Sequence, residues 1–202
     1  MIRKSRISST NQAMIATIVL IITLLIFLLV IVVISRSVIK KQSIIGSPPI
    51  PVFYFILAKM LVLVNLAFLL LKGLKISIHR IFEPTWYIDL IALVFLVIGT
   101  IILILSTFQL NNDLIFGLSS SNKHKLHTRG IYSISRHPFY LGFIFILFSS
   151  CLFNPNYVNI TAFLGAWFIH HIIMVKEEQF LRSHYGQEYQ QYAEKVKRYI
   201  TF

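Results

Sequence analysis

The sequence predicts an all-α integral membrane protein with about five transmembrane helices, the last two forming a tight helical hairpin, followed by a C-terminal interfacial helix. Three observations carry that expectation. Of the 202 residues, 56% are hydrophobic and 13% charged, whereas a soluble domain carries about 25% charged residues. The apolar residues gather into runs close to the ~20 residues that cross the hydrocarbon core of a bilayer. The charged residues fall almost entirely in the connections between those runs. Most of this chain has lipid as its solvent.

The first run, 13–34, follows a basic segment and superficially resembles a signal peptide. It is too long for a signal-peptide apolar core and no small-residue cleavage site follows it, so it reads as a retained helix. The second, 50–71, opens on Pro48, Pro49 and Pro51. The third, 86–108, begins with the interfacial aromatics Trp86 and Tyr87. The fourth, 139–153, is short, and the fifth, 157–175, follows after only Asn154, Pro155 and Asn156. So short a connection makes runs four and five an antiparallel hairpin over 138–175. Residues 176–202 are charged and tyrosine-rich and read as an interfacial helix broken at Tyr185-Gly186, with the tail tyrosines as interfacial anchors. The chain therefore divides into N-terminal helices, 1–108, and a region 109–202 made of a polar loop, the hairpin and the tail.

Net charge is +12. In a soluble chain that would raise nucleic-acid binding, but here the basic residues flank apolar runs, where they bind anionic headgroups and set orientation. No nucleic-acid motif is present. Five spans place twelve Lys/Arg on the side of the polar loop and C-terminus and six on the other. The positive-inside rule thus puts the loop and the C-terminus in the cytoplasm. The lone Cys151 has no disulfide partner, and no metal-ligand set is legible. His170 and His171 point to different helix faces, so they are not a bidentate metal pair. Lys59 and Asn65 lie within the second run, where polar groups need partners, and Asp89 can meet Lys59 if depth allows.

Chemistry-bearing side chains concentrate just before the fourth run. Pro138 suits the first position of that helix, where its missing N–H costs nothing. Arg136 and His137 then sit beside the free backbone amides and positive dipole end of the helix, a place suited to an anion. Glu177 and Glu178 follow the fifth run, and the hairpin returns them to the same face. They can ion-pair with Arg136 or Arg129, or join the basic loop in holding a zwitterionic ligand.

Gly130-Ile-Tyr132, Arg136-His-Pro-Phe-Tyr140 and Gly142, then Glu177-Glu178-Gln-Phe-Leu181, Tyr185-Gly186-Gln-Glu-Tyr189 and Tyr192 resemble the isoprenylcysteine carboxyl methyltransferase family and the related phospholipid methyltransferases. The likeness spans 124–200. It implies an integral membrane enzyme that uses S-adenosylmethionine, releasing S-adenosylhomocysteine, and methylates a lipophilic acceptor from the bilayer. It implies a cofactor site of His124, Lys125, Leu126, His127, Tyr132, Arg136, His137, Pro138, Phe139, Tyr140, Glu177 and Glu178, with Arg136, His137 and Glu177 as the catalytic set. The acceptor it implies is an isoprenylcysteine-like carboxylate, with phospholipid or other lipid N- or O-methylation as the alternative. Where the eukaryotic members place an Arg one turn before the Glu pair, this chain has Ile173. Membrane sterol-type reductases using NADPH also carry Arg-His-Pro-x-Tyr, but with Trp in place of Tyr132 and Asn in place of Phe139. A non-enzymatic membrane scaffold is the third reading. None of the eight glycines forms the GxG of a soluble dinucleotide-type fold.

Overall fold

The computed structural model describes residues 2–39, 47–110 and 126–201, with the side chains of 2–9 and 37–39 outside the description. Among the described residues six α-helices follow in chain order: α1 (Ile2–Ile39), α2 (Val52–Gly73), α3 (Trp86–Leu110), α4 (Pro138–Phe153), α5 (Tyr157–Tyr185) and α6 (Gln187–Lys195). A 3-10 turn, Gly130–Ser133, precedes α4. The fold is that of an all-α integral membrane protein. Among the described residues four helices are long and apolar enough to cross a bilayer, those of 10–36, 52–73, 86–110 and 157–185, while α4 is apolar but only 16 residues long.

Two elements differ from the sequence expectation. The helix around the first apolar run extends well beyond it on both sides, from Ile2 to Ile39, because its polar flanks hold no Gly or Pro to end it. More consequential is α5. It continues unbroken for 29 residues through the Glu pair to Tyr185, about 43 Å of helix, so the first third of the tail is a direct prolongation of the fifth span and not a separate interfacial helix. The break comes at Gly186, with φ 53° and ψ −123°, a backbone state that a side chain disfavours. Only α6 remains as the separate tail helix.

The core lies where α1, α2, α3 and α4 meet, around Val19, Leu66, Leu69, Leu96, Leu103 and Ile146. Helices α3 and α4 approach with almost nothing between them. A Cβ added to Gly142 would lie 2.9 Å from both the Gly99 carbonyl oxygen and the Leu103 backbone nitrogen. Association in lipid rests on such close packing and on interhelical hydrogen bonds. The bonds cluster at the α4–α5 turn. The Asn156 side chain accepts from the Asn159 amide at 3.0 Å and so caps α5. Asn159 Nδ2 donates to the Ser150 carbonyl at 2.9 Å, Ser150 Oγ to the Asn65 carbonyl at 2.8 Å and Asn154 Nδ2 to the Phe68 carbonyl at 2.8 Å. Those bonds satisfy groups that lipid cannot and fasten the hairpin to α2.

The intramembrane charges pair differently from the sequence expectation. Asp89 is bound by Lys72, with Nζ 2.9 Å from Oδ1 and 3.0 Å from Oδ2, joining the end of α2 to the start of α3. Lys59 sits toward the opposite end of α2, where its Nζ is 3.4 Å from His170 Nε2 on α5. Depth decides it: Lys72 lies at the level of Asp89, and Lys59 is more than three turns away.

Candidate functional site

Pro138 is the first residue of α4 and His137 its N-terminal flanking residue, with φ −130°. That geometry points both Arg136 and His137 back toward the descending end of α5. The His137 amide donates to Ser135 Oγ at 3.1 Å, and Ser135 Oγ in turn donates to the Arg198 carbonyl at 3.0 Å. The Arg136 amide donates to the Lys197 carbonyl at 3.0 Å, and the Thr201 amide to the Ile134 carbonyl at 2.9 Å. The chain after α6 therefore lies along the approach to α4 and delivers Arg198 to the site.

Glu178 is the centre of the charge cluster. It accepts from Arg198 Nε and Nη2, each at 2.8 Å, from Arg136 Nη2 at 3.2 Å and from His137 Nε2 at 3.2 Å. A carboxylate only accepts, so Nε2 of His137 carries the proton. The forked contact with Arg198 is the strong bidentate form, and it holds the Arg198 guanidinium above its ordinary pKa. Glu177 is disposed differently. The Tyr140 hydroxyl donates to it at 2.7 Å, and His137 Nδ1 lies 3.7 Å away, beyond hydrogen-bond reach. With about four acceptor positions on a carboxylate, Glu178 is committed to the chain while Glu177 keeps capacity for something else.

Above this cluster sits a layer of tyrosines. Tyr189 and Tyr192, one turn apart on α6, are buried with Val196, against Leu126, Leu181 and Tyr185. This corrects their reading as interfacial anchors: α6 is amphipathic and turns its aromatic face onto the protein. The Tyr192 hydroxyl donates to the Tyr132 carbonyl at 2.7 Å. Burial pushes the Tyr189 hydroxyl up to about 12, and likewise raises Tyr132 and Tyr192. All three stay protonated donors at neutral pH.

Of the residues singled out in the sequence, Arg136, His137, Tyr140, Glu177 and Glu178 converge. Leu126, His127 and Tyr132 form an adjoining wall, with the His127 and Tyr132 rings 6.0 Å apart. Phe139 turns away into the apolar core, 5.1 Å from Phe143, because it follows Pro138 onto the face of α4 that meets the other helices. His124 and Lys125 lie outside the described residues. It is Arg136, not Arg129, that takes Glu178; Gln109 binds the Arg129 carbonyl instead. His170 and His171 do diverge, the first bonded to the Ala166 carbonyl at 2.7 Å, the second to the Tyr199 hydroxyl at 2.6 Å. Arg198 and Ser135 were not anticipated. Nothing in the local sequence separates Arg198 from Lys195 and Lys197, and its role depends on how the tail folds back.

A family model described as phospholipid methyltransferase matches residues 88–188. The chain belongs to the phospholipid methyltransferase family. The match runs from α3 into α6 and takes in Arg136, His137, Tyr140, Glu177 and Glu178 but not Arg198, in keeping with the motif resemblance. Among curated proteins, the chain is similar to a probable protein-S-isoprenylcysteine O-methyltransferase of Oryza sativa subsp. japonica, 31% identical over 120 residues, 58% of this chain and 63% of the relative. It is 38% identical over 80 residues to the protein-S-isoprenylcysteine O-methyltransferase of Schizosaccharomyces pombe, 39% of this chain and 34% of that one. It is 26% identical over 140 residues to methanethiol S-methyltransferase 1 of Bradyrhizobium diazoefficiens, 65% of this chain and 48% of that one. The matched part thus spans less than two thirds of these relatives' length. No solved structure matches the chain.

Proposed function

We propose that this protein is an S-adenosylmethionine-dependent methyltransferase acting on a lipophilic acceptor held in the bilayer, with carboxyl O-methylation of an isoprenylcysteine-like molecule as its reaction. The observation that carries the reading is the convergence of Arg136, His137, Tyr140 and Glu177 at the head of α4, on residues the family match includes. The relatives' printed names, three of them methyltransferases, support the reaction class.

The site suits a zwitterionic donor. Two buried polar atoms, Arg136 Nε and Tyr189 OH, have no hydrogen-bond partner among the described residues. A native protein rarely leaves such atoms unsatisfied, and a ligand is one way to satisfy them. Arg136 would hold the amino-acid carboxylate, and Glu177, with its spare acceptor capacity, the ammonium. Leu126, His127 and Tyr132 would form the wall on the loop side, with Pro138 and Tyr140 at the helix end beneath; His124 and Lys125 are assigned to the cofactor by the family resemblance alone.

When bound, the donor supplies a methyl group on a sulfonium, open to displacement. The chain's residues then have two tasks. They hold the two reactants in line, the larger part of what such a displacement requires. They also exclude water, and a dry site favours a reaction in which opposite charges on donor and carboxylate are lost together. Glu178, locked by two guanidiniums, keeps Arg136 and His137 in position. With a carboxylate acceptor no proton has to move; with an amine, His137 Nδ1, facing Glu177, is the group placed to take one. In this reading the loop and the C-terminal segment face the cytoplasm.

Binding of S-adenosylhomocysteine to the purified chain in detergent, measured by calorimetry, tests the assignment. Arg136→Ala and Glu177→Ala should each abolish it. Tyr189→Phe should weaken it by about three- to tenfold without lowering the unfolding temperature, since the hydroxyl has no partner in the described protein to lose. Unchanged affinity in the first two variants would sink the reading. Transfer of labelled methyl into a membrane lipid extract would then name the acceptor.

A further inference from the structure

Beneath the Arg136–Glu177 end of the bundle lies a second polar pair that the proposed chemistry does not use. Lys59 is on α2 and His170 on α5, and Lys59 Nζ is 3.4 Å from His170 Nε2. The other ring nitrogen, Nδ1, is 2.7 Å from the Ala166 carbonyl. A carbonyl only accepts, so Nδ1 carries the proton and Nε2 offers a lone pair to the Lys59 ammonium. A neutral imidazole therefore fixes the direction of that ammonium.

The pair is not isolated from the site. The Tyr140 ring lies 5.5 Å from the His170 ring, and its hydroxyl reaches Glu177 at 2.7 Å. Lys59 is in electrostatic reach of the same carboxylate. Tyr140 therefore spans from the donor end to the pair. Lys59 is half-buried, with its ammonium 5.0 Å from the Phe55 ring, and its neighbours along α2, Ile56 and Met60, are exposed to lipid. An ionisable group inside a spanning helix is costly and tends to mark a ligand path.

We propose that Lys59, aimed by His170, is the residue that recognises the acceptor's anionic group, making a lipophilic carboxylate rather than a lipid amine the preferred substrate. This inference rests on the methyltransferase reading. A carboxylate drawn to Lys59 approaches Tyr140 and Glu177 from below, while an ammonium headgroup is repelled. In the transfer, a carboxylate oxygen lone pair forms the O–CH3 bond as the CH3–S bond breaks. The electron pair of the broken bond goes to sulfur, the carboxylate becomes a neutral ester and the sulfonium a neutral thioether, with no proton transferred. The ester has no charge for Lys59 to hold, so methylation itself weakens the product's grip and returns it to the lipid.

The test compares binding of N-acetyl-S-farnesylcysteine with that of its methyl ester, using the 202-residue chain in nanodiscs. Wild type should prefer the acid by about tenfold or more. Lys59→Met should bring the two affinities within about twofold, and Lys59→Arg should keep the preference. Equal affinity of acid and ester in wild type, or an undiminished preference in Lys59→Met, would overturn the proposal. So would a dispersed phosphatidylethanolamine that competes as well as the acid. Calorimetry with S-adenosylhomocysteine on the same samples separates the two readings. Equal affinity of acid and ester in wild type, with donor-product binding intact, refutes the Lys59 proposal alone, and absent donor-product binding in wild type refutes the methyltransferase assignment.

Discussion

Replacing Glu178 with Gln should release the C-terminal segment from the site. The carboxylate receives two bonds from Arg198 at 2.8 Å, one from Arg136 and one from His137. Its side chain is 11% exposed and that of Arg198 is 28% exposed, so the pair lies between the surface and the buried limits. Exposed pairs contribute about 0–1 kcal/mol, and breaking a buried pair costs about 3–5 kcal/mol. Because Gln keeps one acceptor oxygen, we expect a loss of about 2–3 kcal/mol, felt mainly where the tail docks. At tenfold per ~1.36 kcal/mol, the open population of the tail should rise roughly 30- to 150-fold. Amide hydrogen exchange over 197–201 in detergent reads that population directly. Arg198→Ala should give a comparable rise, and the double variant should add little, as expected of two partners in one interaction. Exchange at wild-type rates in Glu178→Gln would refute the argument that this carboxylate latches the tail.

Two further perturbations probe the scaffold. Gly142→Ala drives a Cβ to 2.9 Å from backbone atoms of α3, so the two helices must part; a loss of about 1–3 kcal/mol should lower the thermal midpoint in detergent, and an unaltered midpoint would contradict the close approach. Asp89→Asn strands Lys72, whose side chain is 12% exposed, and should cost about 3 kcal/mol; a Lys72→Met/Asp89→Leu pair should recover most of it, and failure to do so would show that the charges matter beyond each other.

The membrane architecture was legible because lipid leaves so few options. Apolar length, the three-residue turn at Asn154–Asn156 and the proline at the head of α4 fix the hairpin almost without reference to the rest of the chain. The same hairpin brings Glu177 and Glu178 back to Arg136 and His137, so the heart of the site was legible as well. Packing choices were not. That Glu178 rather than Glu177 takes both guanidiniums depends on a turn of about 100° per residue around α5 and on where Arg198 arrives. Asp89 finds Lys72 and not Lys59 because of relative helix depth, which sequence spacing does not encode. The tail tyrosines offered an ambiguous signal, since an amphipathic aromatic face packs equally well on headgroups or on protein, and only the docking of α6 decides between them.

The brevity of α4 has a consequence for how a greasy molecule meets this protein. Sixteen residues of helix reach about 24 Å, some 6 Å short of a typical hydrocarbon slab of ~30 Å. A bilayer answers such a mismatch by thinning beside the short element. Thinning next to the head of α4 would draw headgroup level down toward Arg136 and Tyr140. A lipid-anchored molecule diffusing in that leaflet would carry its polar end to the right height while its tail stays in hydrocarbon. For the proposed lipophilic acceptor, such a dimple, set by one helix too short for its surroundings, would make extraction from the membrane unnecessary.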